Sequence, residues 1–350
     1  MPDGILTKFI NAITEFFTGK TEQPAKTNRN GKASIFKGTK HTKNPHEISM
    51  MNDISDTQIT RNNYISYRKN PKYVLKEGDT ISVIAKKFGV EEQSILYANS
   101  LTKKTAKNLK IGQILKIPPT KTVKNIRNLN DVAKSMGVSA DFIAKLKKAE
   151  DSANLKPNQF HNTAYKDDAG VLTIGIGHVV KKGEPQKLSN AQVCSLLAKD
   201  LLKVEENIEG IIEPAKYKRL PQPMKEALLS LTFNKGTDIL NKIPGLTYTL
   251  KVGKYEAAIN KFSFNKSTTT GLEMSGLNKR RIFEISIACK MYKGKIPQSN
   301  INTAQQLYNR GVQLLRAECK KSGHRFENLL VGYNNDVKSY MGNHIKLITK

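Results

Sequence analysis

Apolar residues recur at helical spacing in several stretches of the chain, and the first stretch lies near the N-terminus. Residues 4–18 place Ile, Leu and Phe on one face, which predicts a short amphipathic helix. Residues 20–70 are rich in Lys, Asn, Thr, Ser and Gly, a composition that buries too little apolar surface to offset the entropy of ordering. We therefore predict an amphipathic helix and a flexible basic arm over residues 1–70. The helix either docks on a partner protein or membrane surface or packs on its own chain.

A compact alternation of strand and helix patterns follows over residues 73–118. It begins with a short apolar strand, and Asp79 or Thr80 can cap the helix that comes next. A second helix is predicted around residues 91–99, before a closing strand. The predicted order is therefore β-α-α-β.

The apolar and turn-forming positions of this segment follow a long, ordered pattern. They are Tyr73, Gly78-Asp79-Thr80-Ile81, Ile84-Ala85, Phe88, Leu96, Asn99, Leu109 and Gly112-Gln113-x-Leu115-x-Ile117-Pro118. The segment resembles a LysM module, the repeat that binds peptidoglycan and chitin. The resemblance implies a shallow groove for N-acetylglucosamine units, with Gly78, Asp79, Thr80 and Ile81 on one side and the region of Leu101 on the other.

Two short helical patterns meet at Gly137 within residues 120–148. A helix-turn-helix that contacts DNA phosphates and a plain helical hairpin both fit this pattern. The second helix leads directly into an acidic motif, which favours the structural interpretation. We predict a helical linker over residues 120–140 and no specific binding of nucleic acid.

Acidic residues follow this helix on both sides of a loop. Glu150 and Asp151 lie at the end of the predicted helix, and Asp167 lies in a turn before an alternating strand over residues 171–176. Two carboxylates that converge on a cleft are the arrangement that hydrolysis of a glycosidic bond requires. Taken alone, Asp167 is explained equally well as a turn former and Glu150 as a solvated helix residue, so the surrounding pattern has to distinguish these interpretations from a glycosidase site.

Three ordered motifs favour the glycosidase site. They are YKD-x-x-G-x-x-TIGIGH at 165–178, LLSLTFNKG at 228–236 and GLNKRR-x-x-E at 276–284. Together they resemble the phage-type lysozymes of glycoside hydrolase family 24. The resemblance implies an α+β, mainly helical fold: a small βααβ LysM domain followed by a phage-lysozyme-like helical domain with an active-site β-hairpin. We place the LysM domain at 71–119, the catalytic domain at 141–297 and a C-terminal helical extension at 298–350.

The same resemblance implies roles for individual residues. Glu150 matches the general acid, which protonates the glycosidic oxygen from a partly desolvated site. Asp167 matches the second carboxylate, which activates a water or stabilises the oxocarbenium-like centre. Thr173, on the second strand of the hairpin, matches the residue that positions the attacking water.

Other matched residues lie around the cleft in the family. Asn234 takes the place of a polar residue that lines the saccharide cleft. Arg280 and Arg281 match basic residues whose roles divide between structure and substrate binding. His178 closes the hairpin motif and is expected to be structural. We predict no metal and no cofactor.

One departure from the family pattern affects the acid. Sixteen residues separate Glu150 from Asp167, more than in the family, and the extra residues fall near 156–163. A loop insertion between helix and hairpin would preserve the geometry, because loops tolerate changes of length. Asp151 as the acid and a degenerate site are the alternatives.

The overall composition limits the class of protein. The net charge of +28 is spread along the 350 residues, which suits loose attraction to a polyanionic surface such as the cell wall. Three distant cysteines argue against a disulfide framework and a cysteine-based zinc site. No apolar run approaches the ~18 residues of a membrane span. The N-terminus does not resemble a signal peptide, so we expect synthesis in the cytoplasm of a host bacterium.

These features together predict a two-module peptidoglycan hydrolase. Its lysozyme domain cleaves the β-1,4 bond between N-acetylmuramic acid and N-acetylglucosamine, and LysM holds it on the wall. It acts in the periplasm or the cell wall, as a phage endolysin or as a virion-associated lysozyme whose residues 1–70 contact other virion proteins. The alternative is a virion structural or cargo protein with a catalytically dead lysozyme fold. A DNA-binding regulator fits the sequence least well.

Overall fold

The computed structural model describes most of the chain after residue 60. The described residues are 61, 63–150, 155–156, 159–167, 170–236, 238–265 and 272–349. The helix predicted at 4–18, the arm up to residue 60 and Asp151 lie outside them. Within the described ranges, we find no helix with the length and apolar character needed to cross a bilayer.

Four strands and four α-helices precede the hairpin motif among the described residues. In chain order they are β1 (Ile65–Arg68), β2 (Tyr73–Val74), α1 (Ile81–Phe88), α2 (Glu92–Ala98), β3 (Ile114–Leu115), β4 (Thr120–Val123), α3 (Leu129–Met136) and α4 (Ala140–Glu150). Strands β2 and β3 pair antiparallel, with Tyr73 opposite Leu115. Ile84 and Ile95 from the two helices are fully buried with Leu115 in one small core. The β-α-α-β order predicted from the sequence is confirmed.

A second two-stranded ribbon, formed by β1 and β4, lies beside this unit. Ile65 is paired with Val123 and is almost completely buried. Regular structure therefore begins before Tyr73, and the prediction of a flexible arm through residue 70 is wrong for this strand. The pairing depends on a distant partner strand, which the polar composition of the arm does not reveal.

The helical hairpin predicted around Gly137 is present as α3 and α4. Asn128 caps α3 by accepting a hydrogen bond from the Asp131 amide at 3.0 Å, and Gly137 ends it with a left-handed φ of 61°. Val132 and Phe142 have no exposed surface and belong to the large core of the molecule. The hairpin is thus a packed part of the fold, and it carries Glu150 at its end.

A three-stranded sheet and nine α-helices follow among the described residues. They are β5 (His161–Lys166), β6 (Leu172–Gly175), β7 (His178–Val179), α5 (Asn190–Ile212), α6 (Pro214–Arg219), α7 (Gln222–Lys235), α8 (Ile239–Lys242), α9 (Leu246–Lys251), α10 (Tyr255–Asn260), α11 (Ser275–Cys289), α12 (Gln298–Ser322) and α13 (Phe326–Met341). The sheet is antiparallel in the order β5-β6-β7. Helix α11 packs against α7, α12 and α13 and is buried along most of its length. The expected α+β, mainly helical fold is confirmed.

The LysM-like unit packs directly on the helical core through α2 and α5. Gly210 in α5 faces Gln93 in α2. Beside this contact, Arg61 Nη2 lies 2.6 Å from Glu205 Oε2, and the ammonium of Lys121 lies 3.3 Å from Glu209 Oε2. The close approach of α2 to α5 therefore joins the two parts, and ion pairs from Arg61 and from Lys121 of β4 to α5 lie beside it.

Replacing Gly210 with alanine is expected to destabilise this junction. Alanine normally stabilises a helix interior by about 0.5–1 kcal/mol relative to glycine. Here the new Cβ would lie 2.7 Å from Gln93 Cγ and 3.3 Å from the Gln93 carbonyl oxygen. We expect a net loss of about 1–2 kcal/mol from overpacking, measured by thermal unfolding. Gly332 in α13 has open space around it, so Gly332→Ala is the control and should be stabilising. An equal gain in both variants would contradict the contact.

Candidate active site

Glu150 is the last residue of α4, and the hairpin lies against its carboxyl group. The side chain is 15% exposed. A Cβ at Gly177 would lie 3.1 Å from Glu150 Oε2 and 3.5 Å from Phe233 Cε1. Gly177 also has a φ of 72°, so the second glycine of the TIGIGH motif supplies both the turn and the space for the carboxyl group.

Arg280 of α11 is the charged partner of Glu150. Arg280 Nη2 lies 2.8 Å from Glu150 Oε1, and the guanidinium is 6% exposed. The guanidinium also donates from Nε to Ser230 Oγ at 3.1 Å and lies over the ring of Phe283. Glu150 and Arg280 are therefore held in direct contact, largely buried, between α4 and α11.

Asp167 forms the turn between β5 and β6. Its Oδ1 accepts a hydrogen bond from the Val171 amide at 2.9 Å, and its backbone amide donates to the Val171 carbonyl at 2.9 Å. Thr173 follows on β6 with 4% of its surface exposed, and its hydroxyl donates to the Val171 carbonyl at 3.2 Å. The turn thus fixes Asp167 and Thr173 on the same hairpin, as the motif predicts.

Arg281 and Glu284 form a fully buried pair beneath Arg280. Arg281 Nη2 donates to Glu284 Oε1 at 2.8 Å and to Asn234 Oδ1 at 2.8 Å. Burial lowers the pKa of Arg281 to about 10 although Glu284 opposes the shift, and burial raises the pKa of Glu284. Arg281 has no exposed surface, so its predicted contact with substrate does not fit this structure. Asn234 is half-buried, and its amide oxygen is used by Arg281.

His178 lies between two carboxylates. Its Nδ1 is 2.7 Å from Asp200 Oδ2 and its Nε2 is 3.0 Å from Glu184 Oε2. Burial opposes protonation, but the hydrogen bond with Glu184 and the charge of Asp200 outweigh it and raise the pKa of His178. The imidazole therefore ties the hairpin to α5, which agrees with the expected structural role. Asp200 and Glu184 belong to no motif, so sequence analysis missed them.

The His178 ion pairs predict a pH-dependent stability. The pKa of His178 is raised in the folded state. The ion pairs therefore stabilise the fold fully below about pH 6.5, the ordinary pKa of histidine, and this stabilisation is lost as the pH rises through the pKa of the folded state. We expect His178→Gln to lower the free energy of unfolding by about 1–3 kcal/mol at pH 6 and by less at pH 9. Urea unfolding at both pH values tests this. His324→Gln is the control, because His324 is exposed and its ring forms a hydrogen bond only with the nearby Ser322 hydroxyl among the described residues. A loss that does not depend on pH would contradict the prediction.

The predicted LysM groove residues are mainly occupied in building the first turn. Asp79 Oδ2 accepts hydrogen bonds from the Tyr73 hydroxyl at 2.9 Å and from the Lys76 amide at 2.8 Å. Thr80 caps α1, and Gly78 is exposed with a φ of 76°. Ile81 is 7% exposed and packs in the core. The Ile81 side chain therefore contributes mainly to the core, and the sugar contact expected at this position stays a prediction.

Known protein families match both the LysM-like part and the lysozyme-like part of the chain. The phage lysozyme family model matches residues 157–284 and the LysM domain model matches residues 73–118. The SAR-endolysin of Escherichia phage Mu is 31% identical over 123 residues, which are 35% of this chain and 68% of that protein. The active form of P1 phage endolysin Lyz matches with 18% identity and a TM-score of 0.40, over 49% of this chain and 99% of that structure. The endolysin from Escherichia coli O157:H7 phage FAHEc1 matches with 25% identity and a TM-score of 0.33, over 38% and 86%.

The region matched by the phage lysozyme family model begins close to Glu150 and includes the other residues of the candidate site. It contains Asp167, Thr173, Asn234 and Arg280, and it begins seven residues after Glu150. The identity with the Mu protein, over two thirds of that protein's length, confirms the resemblance stated from the motifs. The chain belongs to the phage lysozyme family, as a muramidase and endolysin-like peptidoglycan hydrolase that also carries a LysM domain.

Proposed function

We propose that this muramidase hydrolyses the β-1,4 bond between N-acetylmuramic acid and N-acetylglucosamine with Glu150 as general acid. The contact between Glu150 and Arg280 at 2.8 Å supports this proposal most directly. When Glu150 gives its proton to the glycosidic oxygen it becomes a carboxylate, and the guanidinium stabilises that charge as it forms. A preorganised cation in a largely buried site is an effective way to lower such a barrier.

The second half of the reaction is assigned to the hairpin. The Asp167 side chain activates a water or stabilises the oxocarbenium-like centre, and Thr173 positions the attacking water. The turn hydrogen bonds support this assignment, since they fix Asp167 on the strand pair that carries Thr173. Attack from the opposite face of the sugar would invert the anomeric configuration.

Glycan binding is assigned to two surfaces. Asn234 and Arg280 would line the cleft, and the exposed turn at Gly78, Asp79 and Thr80 would hold N-acetylglucosamine units on LysM. Because α2 packs on α5, binding of LysM to the wall raises the local concentration of glycan near the catalytic domain. We place the action of the enzyme in the periplasm or the cell wall.

Analysis of the cleaved glycan tests this function. Incubation with purified peptidoglycan should release reducing ends that are muramic acid, identified after borohydride reduction. Reduced glucosamine at the new ends would contradict the assigned bond. Binding to the wall without release of reducing ends would support the catalytically dead alternative. Detection of the protein in purified phage particles would favour virion carriage over a free endolysin.

A further inference from the structure

Helix α13 lies outside the region matched by the phage lysozyme family model, yet it packs on α11. One face of α13 presents Tyr333, Asp336, Val337 and Tyr340, which are spaced three and four residues apart. Val337 has no exposed surface and Tyr333 is 4% exposed. Apolar packing therefore attaches α13 to the core and brings Asp336 to the junction of two other helices.

Asp336 joins the two helices that carry the Glu150–Arg280 pair. Its Oδ1 accepts a hydrogen bond from Lys148 of α4 at 2.8 Å, and its Oδ2 accepts one from Lys279 of α11 at 2.6 Å. Lys148 lies two residues before Glu150, and Lys279 lies directly before Arg280. One carboxylate thus bridges the chain neighbours of both members of the pair.

The environment of Asp336 favours its charged form. Its side chain is 19% exposed, that of Lys279 is 31% exposed and that of Lys148 is 63% exposed, so the Lys279 arm of the bridge is the better shielded from water. Burial opposes ionisation, but the hydrogen bonds from Lys148 and Lys279 outweigh it and lower the pKa of Asp336. The bridge therefore persists at neutral pH.

An aromatic contact reaches Arg280 from the same face of α13. The ring of Tyr340 lies 5.3 Å from the ring of Phe283, and the guanidinium of Arg280 lies 5.7 Å from the centre of the Phe283 ring. Helix α13 thus contacts α11 at two points beside Arg280, through the ion pair with Lys279 and through the ring of Phe283.

We propose that Asp336 is a positioning residue for catalysis, which fixes α4 against α11 so that Glu150 and Arg280 keep their separation. This inference rests on the proposed role of Glu150 as the acid. An error of about 1 Å in such a constellation can lower a rate by up to 10²-fold. A C-terminal helix outside the family match would thereby become part of the catalytic apparatus.

Kinetics of Asp336→Asn test the proposal. We expect kcat to fall about tenfold while KM stays within about twofold, because the variant misplaces the reacting pair and leaves glycan binding intact. The conservative Asp336→Glu, which keeps the charge, should recover most of the activity. Glu273→Gln is the matched control, since it removes an ion pair of 2.6 Å with Arg310 of α12 that involves no neighbour of Glu150 or Arg280. It should retain full kcat.

A double variant distinguishes a positioning role of Asp336 from a general effect on stability. If Asp336 acts through Arg280, then adding Asp336→Asn to Arg280→Gln should lower kcat no further. A further tenfold loss there, full kcat in Asp336→Asn, or an equal loss in Glu273→Gln would overturn the proposal.

Two more variants keep the test decisive if Asp336→Asn does not fold. Lys148→Gln and Lys279→Gln each remove one arm of the bridge, and each should lower kcat. Unchanged kcat in both would overturn the positioning role. Full activity of Glu150→Gln would instead show that the acid is misassigned, which is a separate failure.

Discussion

Glu150→Gln is expected to lower the rate of peptidoglycan hydrolysis by about 10³-fold, within the range that general acid catalysis contributes. The amide has the shape of the carboxyl group but no proton to give to the leaving oxygen. Arg280 would keep an amide oxygen at the position of Glu150 Oε1 and would still lie 3.4 Å from the carboxylate of Glu284, so the fold should be preserved. Release of reducing ends from purified peptidoglycan measures the rate, and circular dichroism checks the fold.

Asp151→Asn is the matched control for this experiment. Asp151 is the neighbouring acid and the alternative left open by the insertion between Glu150 and Asp167. We expect Asp151→Asn to keep most of the activity, and both variants to keep binding to the wall through LysM. Loss of activity only in Asp151→Asn would assign the general acid to Asp151. Equal activity in the wild type and both variants would show that neither residue is the general acid.

Local patterns predicted well those elements, in both parts of the chain, that depend on neighbouring residues. The β-α-α-β unit, the hairpin at Asp167 and the helix that ends at Glu150 each depend on residues close together in sequence, such as the cap at Thr80 and the glycine at 177. The strand Ile65–Arg68 was missed because its partner strand lies far along the chain. Local composition carries no information about such a pairing.

Roles within a motif were harder to predict than the motif itself. Arg280 and Arg281 are adjacent, and successive residues of a helix point about 100° apart. One therefore reaches Glu150 while the other turns into the core toward Glu284. The bridge from Lys148 to Asp336 spans 188 positions, and neither residue belongs to a recognised motif.

Arg281→Met is expected to be strongly destabilising. The substitution leaves Glu284, which has no exposed surface, without its closest cation. Removing one member of a buried ion pair costs about 3–5 kcal/mol, because the remaining charge stays desolvated. The corresponding fall in Tm is roughly 10 °C. The chain contains no tryptophan, so unfolding is best followed by circular dichroism.

Arg310→Met is the matched control for Arg281→Met. Arg310 is 51% exposed and its partner Glu273 is 28% exposed, so water screens the pair and its loss should cost at most about 1 kcal/mol. The double variant Arg281→Met, Glu284→Gln should be less destabilised than the sum of its parts, since the unpaired charge is gone. Equal losses in Arg281→Met and Arg310→Met would contradict the buried pair.

Arg281→Met should also disturb the active site. Glu284 Oε1 lies 3.4 Å from Arg280 Nε as well as 2.8 Å from Arg281 Nη2. Without Arg281, the uncompensated carboxylate of Glu284 draws the guanidinium of Arg280 toward itself and away from Glu150. We therefore expect the folded fraction of Arg281→Met to lose activity at temperatures well below its Tm, whereas the folded fraction of Arg310→Met should not. Full specific activity in folded Arg281→Met would mean that Ser230 and Phe283 alone hold Arg280 in place.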